Sequence, residues 1–239
     1  MRLSDFKVLT FDCYGTLIDW ESGMLAALRP IAAKAARPPS DEEILAAHAR
    51  HESFQQAQTP AMPYSRLLAV VARRLAEEWG VATSWVDCLA YGRSIPHWPA
   101  FPDTAAALGT LKQHFKLAIL SNIDNDSFAY SNRKLGVAFD AVFTAEDIGS
   151  YKPAPRNFEY MLEKLAGMGI QRNEILHTAE SLYHDHRPAN DFGLASCWIH
   201  RRHGREGFGA TMDPGATPHF DFRFTSMAEM AEAHRKEQA

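Results

Sequence analysis

Four polar clusters in this chain of 239 residues each follow an apolar run or open a helix. The run Lys7-Val8-Leu9-Thr10-Phe11 ends in Asp12, with Gly15 and Thr16 close behind. The run Lys116-Leu117-Ala118-Ile119-Leu120 ends in Ser121-Asn122. Lys152-Pro153 precedes the helical stretch 158–167, and Glu174–Ala179 leads into Glu180 and Asp185. A carboxylate at the carboxyl end of a buried strand lies where open α/β sheets keep their ligands. Gly15 and Thr16 can offer backbone N–H groups and a hydroxyl to an anionic guest. Ser121 and Asn122 are neutral donors, able to bind a substrate oxygen without adding charge. Proline restricts both itself and its predecessor, so Lys152 is held rigidly. An ionised Asp12 can attack an electrophile as a covalent nucleophile. Taken singly, each cluster has a plainer reading. Asp12 could cap a turn, Ser121-Asn122 could simply end a strand, and Glu180 and Asp185 could be unrelated loop acids.

The elements that must position these groups follow from periodicity and punctuation. Strands are expected at 7–11, 116–121, 139–144, 174–179 and 194–199, with an edge strand at 219–224. Helices are expected at 19–36, 40–58, 64–79 and 84–93, with no strand among them. Ser40 followed by Glu43 is a capping-box pattern. The stretch 94–103 carries three prolines and no periodicity, which marks a linker. Further helices are expected at 104–114, 128–135, 158–167, 188–192 and 227–237. Strands alternating with helices give an α/β fold with a doubly wound parallel sheet. The long helical insertion reads as a cap. The division expected is a Rossmann-like core, 1–18 and 100–239, and a helical cap subdomain, 19–99.

Phe11-Asp12-Cys13-Tyr14-Gly15-Thr16-Leu17 resembles the first motif of the haloacid dehalogenase superfamily. Ser121-Asn122, Lys152-Pro153 and the pair Glu180/Asp185 are similar to its second, third and fourth motifs, in the same order. Tyr14, where the phosphatases of that superfamily carry a second Asp, resembles the type II 2-haloacid dehalogenases. The resemblance implies that Lys152 holds the carboxylates and an anionic substrate together. It implies catalytic roles for Asp12, Thr16, Ser121, Lys152 and Asp185. Tyr14, Asn122, Arg50, Trp98 and Glu180 are the expected substrate-binding residues.

The leaving group decides between the branches. An alkoxide leaving phosphate wants a proton, which the second Asp supplies; halide does not. Tyr14, with its high pKa, is a poor donor at neutral pH. The motif therefore favours dehalogenation of a short 2-haloalkanoic acid through an ester on Asp12, and the resemblance implies that no metal cofactor is needed. The helical cap would exclude water from the nucleophile. Three positions depart from the type II pattern: Glu180 stands for Ser, Leu182 for Asn and Phe158 for Tyr. Asp12, Glu180 and Asp185 then face one Lys152, and so many close like charges need relief. Relief could come from a cap arginine such as Arg50 or Arg66, from a proton on Glu180, or from Mg²⁺. The last would make a phosphatase acting through an aspartyl phosphate, its metal held by Asp12, the Tyr14 backbone, Glu180 and Asp185. A non-catalytic binding protein on the same fold is a third reading.

Composition narrows the partners. Lys and Arg total 25 against 29 Asp and Glu, which argues against a nucleic-acid surface. Three distant cysteines make neither a disulfide framework nor a zinc pattern, so a reducing cytoplasm is expected. The N-terminus lacks the apolar region of a signal peptide, and no apolar run reaches the length of a membrane span. A small anionic substrate is the expected partner, and the resemblance implies a homodimer.

Overall fold

A computed structural model describes residues 1–238. Six strands form one sheet: β1 (Val8–Phe11), β2 (Lys116–Ser121), β3 (Ala141–Thr144), β4 (Ile175–Ala179), β5 (Ala195–Ile199) and β6 (Phe222–Phe224). Their order is β3-β2-β1-β4-β5-β6, and every pairing is parallel. Every residue of β1 and β4 is buried. That is why they read as unbroken apolar runs, as strands covered on both faces do. Strand order reverses at β1, which has β2 on one side and β4 on the other. The loops leaving β1 and β4 diverge there, so a crevice opens at their carboxyl ends. Asp12 is the first residue beyond β1 and Glu180 the first beyond β4.

Four helices follow β1 with no strand among them: α1 (Trp20–Ala32), α2 (Asp41–Gln58), α3 (Tyr64–Glu78) and α4 (Trp85–Gly92). The α2 capping box forms as the sequence suggests. The Glu43 N–H donates to Ser40 Oγ at 3.3 Å, and the Ser40 N–H to Glu43 Oε2 at 2.8 Å. The Ser40 N–H, followed by the Arg37 guanidinium and the Ser40 hydroxyl, holds the Glu43 carboxyl down at about 2. Helix α3 buries Leu67, Leu68, Val71 and Leu75 on one side. Helix α1 crosses the Trp98 ring at Gly23, where a Cβ would lie 2.3 Å from Trp98 Cγ; only glycine permits that approach. Two contacts tie these helices to the sheet's carboxyl edge. The Ser65 N–H donates to Asp124 Oδ2 at 2.7 Å, and the Tyr151 hydroxyl donates to the Met62 carbonyl.

The remaining helices flank the sheet: α5 (Thr104–Leu111), α6 (Asn125–Leu135), α7 (Ala145–Ile148), α8 (Pro155–Gly167), α9 (Arg187–Asp191) and α10 (Met227–Glu237). The edge strand is shorter than expected. The Asn190 amide accepts from the His219 N–H and donates to its carbonyl, so His219 is bound by a side chain and regular pairing begins at Phe222. Among the described residues no helix is long and apolar enough to cross a membrane. Cys13, Cys88 and Cys197 are buried free thiols.

Candidate active site

Asp12 is fixed by its neighbours on three elements. Its N–H donates to the Thr178 carbonyl of β4 at 3.1 Å, continuing the sheet one residue beyond β1. Gly15 then turns the chain with φ +91°, a conformation that suits glycine. The turn brings the Thr16 hydroxyl back to donate to Asp12 Oδ2 at 2.8 Å. Lys152 Nζ donates to Asp12 Oδ1 at 2.9 Å, to Asp185 Oδ1 at 2.7 Å and to the Leu120 carbonyl at 2.9 Å. Its three ammonium protons are thereby all used.

The lysine is only 1% exposed. Burial works against its charge, but Asp12 and Asp185 outweigh that and raise its pKa. Burial also raises the Asp12 carboxyl; Lys152 opposes the rise and the Asp185 charge adds to it. Asp185 behaves differently. Burial pushes it up, but Lys152 and His177 overcome this and hold it far below the ordinary aspartate value. His177 Nε2 lies 2.9 Å from Asp185 Oδ1, and its Nδ1 lies 2.8 Å from Thr10 Oγ1. A buried chain therefore runs Thr10–His177–Asp185–Lys152–Asp12.

Asn122 clamps the lysine's backbone. Its Oδ1 accepts from the Lys152 N–H at 2.7 Å, and its Nδ2 donates to the Lys152 carbonyl at 2.9 Å. The residue expected to bind substrate thus spends its amide on positioning Lys152. Ser121 Oγ is buried beside it with no partner.

The cavity over Asp12 is small, about 30 Å³. Asp12, Tyr14, Ser121, Asn122, Lys152 and Asp185 line it, and these expected residues are brought together. Trp20, Glu52, Gln56, Tyr64, Ser181, His184 and Thr211 line it too, none of them singled out from the sequence. A signal for the α2 residues existed: His48, Glu52 and Gln56 recur every four residues, a buried polar stripe on one helix face. Glu52 accepts from the Tyr64 hydroxyl at 2.7 Å, and burial pushes its carboxyl up to about 7.

Five expectations are corrected. Arg50 does not reach the cavity. It lies on the outer side of α2, with its side chain 55% exposed and paired to Glu78 at 2.9 Å. Arg66 lines a separate surface cleft with Asp124 and Glu146. Among the described residues, Lys152 is the sole lysine or arginine lining the Asp12 cavity. Trp98 is a core residue. It is 1% exposed, its Nε1–H donates to Ser94 Oγ at 3.0 Å, and its ring packs edge-on against Tyr14. Glu180 does not line the Asp12 cavity. Its N–H donates to Thr16 Oγ1 at 2.9 Å, while its side chain lines a second cavity with Trp20, Glu21, Arg201, Arg202 and Arg205. There burial, followed by the Glu21 and Asp12 charges, pushes its carboxyl up to about 8.

The last correction concerns Mg²⁺. The three carboxylates expected to hold it do not converge, because the Lys152 ammonium lies between Asp12 and Asp185 and Glu180 opens elsewhere. Among the described residues no group of three His, Cys, Asp or Glu side chains is placed to hold a metal ion. These residues do not fit the metal. Tyr14 is no proton donor to the cavity either. Its hydroxyl bonds Ser131 Oγ, and burial raises it well above the ordinary tyrosine value.

A family model for haloacid dehalogenase-like hydrolases matches residues 6–178. The chain belongs to that family. An (S)-2-haloacid dehalogenase of Pseudomonas putida is 32% identical over 111 residues, covering 45% of this chain and 47% of that protein. The chain's match thus spans about half the length of that relative. (S)-2-haloacid dehalogenase 4A of Burkholderia cepacia is 24% identical over 214 residues, covering 84% of this chain and 85% of that protein. In three dimensions the chain is similar to L-2-haloacid dehalogenase of Xanthobacter autotrophicus with chloropropionic acid covalently bound. That likeness has TM-score 0.76 at 20% identity, over 96% of this chain and 98% of the other, and shows the shared fold of these hydrolases.

Proposed function

We propose that this haloacid dehalogenase-like hydrolase cleaves the carbon–halogen bond of short 2-haloalkanoic acids through an ester on Asp12. The observation that carries the reading is the pairing of an oriented carboxylate with a Tyr14 hydroxyl turned to Ser131, at the position where the superfamily's phosphatases carry a proton-donating Asp. Asp12 is held by Lys152 and Thr16, while the Tyr14 hydroxyl is committed to Ser131. Displacement of halide requires the carboxylate and does not need a proton donor. The relatives carry the name 2-haloacid dehalogenase, and one is described with chloropropionic acid covalently bound. Both support the reading and favour the S enantiomer.

In the first step an Asp12 carboxylate oxygen attacks the substrate Cα and halide departs with the C–X electron pair. The substrate carboxylate lies against the unpartnered Ser121 hydroxyl and the Lys152 charge. In the second step water attacks the Asp12 carbonyl carbon and releases the 2-hydroxy acid. Lys152 and Thr16 hold the carboxyl oxygens throughout, so the geometry costs little reorganisation. Segment 19–99 is the cap in this account, closing over a core of 1–18 and 100–239 and excluding water. A cavity of about 30 Å³ is tight for a haloacid, so the cap opens to admit one. The free thiols suit a reducing cytoplasm, and a homodimer is the assembly the family resemblance favours.

Halide release from (S)-2-chloropropionate or chloroacetate in EDTA tests the function. Release by the wild type and none by Asp12→Asn is expected. No release from either acid, with Mg²⁺-dependent hydrolysis of an aryl phosphate, would overturn the reading.

A further inference from the structure

Among the described residues, three buried side-chain atoms on residues lining the Asp12 cavity have no partner: Ser121 Oγ, Asp185 Oδ2 and His184 Nε2. Buried polar atoms almost always have partners, so each is available to a guest in this cavity. The serine faces the substrate carboxylate in the account above. Asp185 and His184 remain for the water that hydrolyses the ester.

We propose that His184 is the general base for that water, an assignment that rests on the aspartyl-ester chemistry. The local fold aims it. A wide turn over Leu182–His186 carries i→i+5 bonds, with the His186 N–H donating to the Ser181 carbonyl at 3.3 Å. Such turns frequently accompany functional sites. The turn places His184 and Asp185, neighbours in sequence, on the same cavity. Ser181 Oγ accepts from the His184 N–H at 3.0 Å and lies 3.1 Å from its Nδ1. With Nδ1–H donating to that oxygen, Nε2 carries the free lone pair.

The competing base is weaker. Asp185 already accepts from Lys152 and His177 on one oxygen, and those contacts stabilise its charged form. His184 is kept neutral by burial, with its imidazole pushed down to about 4, so its lone pair is free at neutral pH.

The step balances as follows. Water oxygen bonds to Asp12 Cγ while one water proton passes to His184 Nε2. The tetrahedral intermediate then breaks the bond from Cγ to the substrate oxygen. The departing alkoxide takes the proton from His184 and leaves as the 2-hydroxy acid. Asp12 is left as the acid and returns its proton to solvent on re-pairing with Lys152.

Rapid-quench turnover of (S)-2-chloropropionate by His184→Gln and His184→Asn tests the assignment. Each variant should release about one equivalent of halide in a wild-type burst and then stall. The adduct should accumulate on the Asp12 peptide, with steady turnover down about 100-fold or more. Imidazole should partly restore turnover in His184→Gly. Two outcomes overturn the assignment: turnover within about threefold of wild type, or loss of burst and turnover together in a variant that melts like the wild type. If one substitution unfolds the chain, the other is read by the same burst. A wild type that releases no halide overturns the ester reading itself, and the assignment with it.

Discussion

Lys152 Nζ lies 2.9 Å from Asp12 Oδ1 in a setting where the lysine is 1% exposed. The same nitrogen is 2.7 Å from Asp185 Oδ1, so one cation neutralises two buried carboxylates. Removing it leaves uncompensated buried charge, which costs about 3–5 kcal/mol. Lys152→Met should therefore lower stability by about that amount in denaturant titration and abolish halide release. Lys152→Arg should not restore activity, because a planar fork cannot reproduce three bonds from one nitrogen. A Met variant with wild-type stability and activity would remove the lysine from the account.

The Tyr14 hydroxyl bonds Ser131 and not the nucleophile. Tyr14→Phe should cost about 1 kcal/mol of stability, the worth of a typical internal hydrogen bond. Halide release should stay within a few-fold of wild type. A loss of about 100-fold or more, the scale of general acid catalysis, would show that the hydroxyl moves a proton in the reaction.

Arg50 pairs with Glu78 on the outside of α2. Exposed pairs contribute about 0–1 kcal/mol. Arg50→Ala should thus change neither KM nor kcat for a haloacid, and should shift the melting midpoint little. A large rise in KM would place this arginine on the substrate after all.

Glu52 gives stability a pH dependence of known sign. Burial raises its carboxyl from the ordinary 4.5 to about 7, so it takes up a proton on folding. Stability from this group therefore falls as pH rises from about 4.5 to about 7 and is level above. The shift is worth about 3 kcal/mol. Glu52→Gln keeps an acceptor for Tyr64 without the charge. It should be more stable than wild type at pH 8, by up to that amount, and about equal at pH 4.5. Melting curves at the two pH values check this; a gap that does not grow with pH contradicts it.

Much of the core was legible because its strands are buried on both faces and so read as apolar runs, each ending in a polar cluster. Asp12, Thr16, Ser121, Lys152 and Asp185 stand at those strand ends and loop entries, and parallel topology alone carries them to one edge. The cap-side lining was not legible. It depends on which face of α2 turns inward, and a helix bearing both Arg50 and Glu52 offers a charged residue on either face. Glu180 was misplaced for a related reason. Spacing set it beside Asp185, but the Thr16 hydroxyl takes its backbone N–H and the residue lines the second cavity with Glu21 and Arg202. His184 escaped notice because its significance lies in an unpartnered atom, which only coordinates reveal.

A single turnover in ¹⁸O-water, with enzyme in excess over (S)-2-chloropropionate, tests the ester on Asp12 most directly. The account predicts that ¹⁸O enters the Asp12 carboxyl, seen as a 2-dalton gain on its peptide, while the first lactate formed is unlabelled. Label in that first lactate, with an unlabelled Asp12 peptide, would mean that water attacks the substrate carbon directly and would contradict the account.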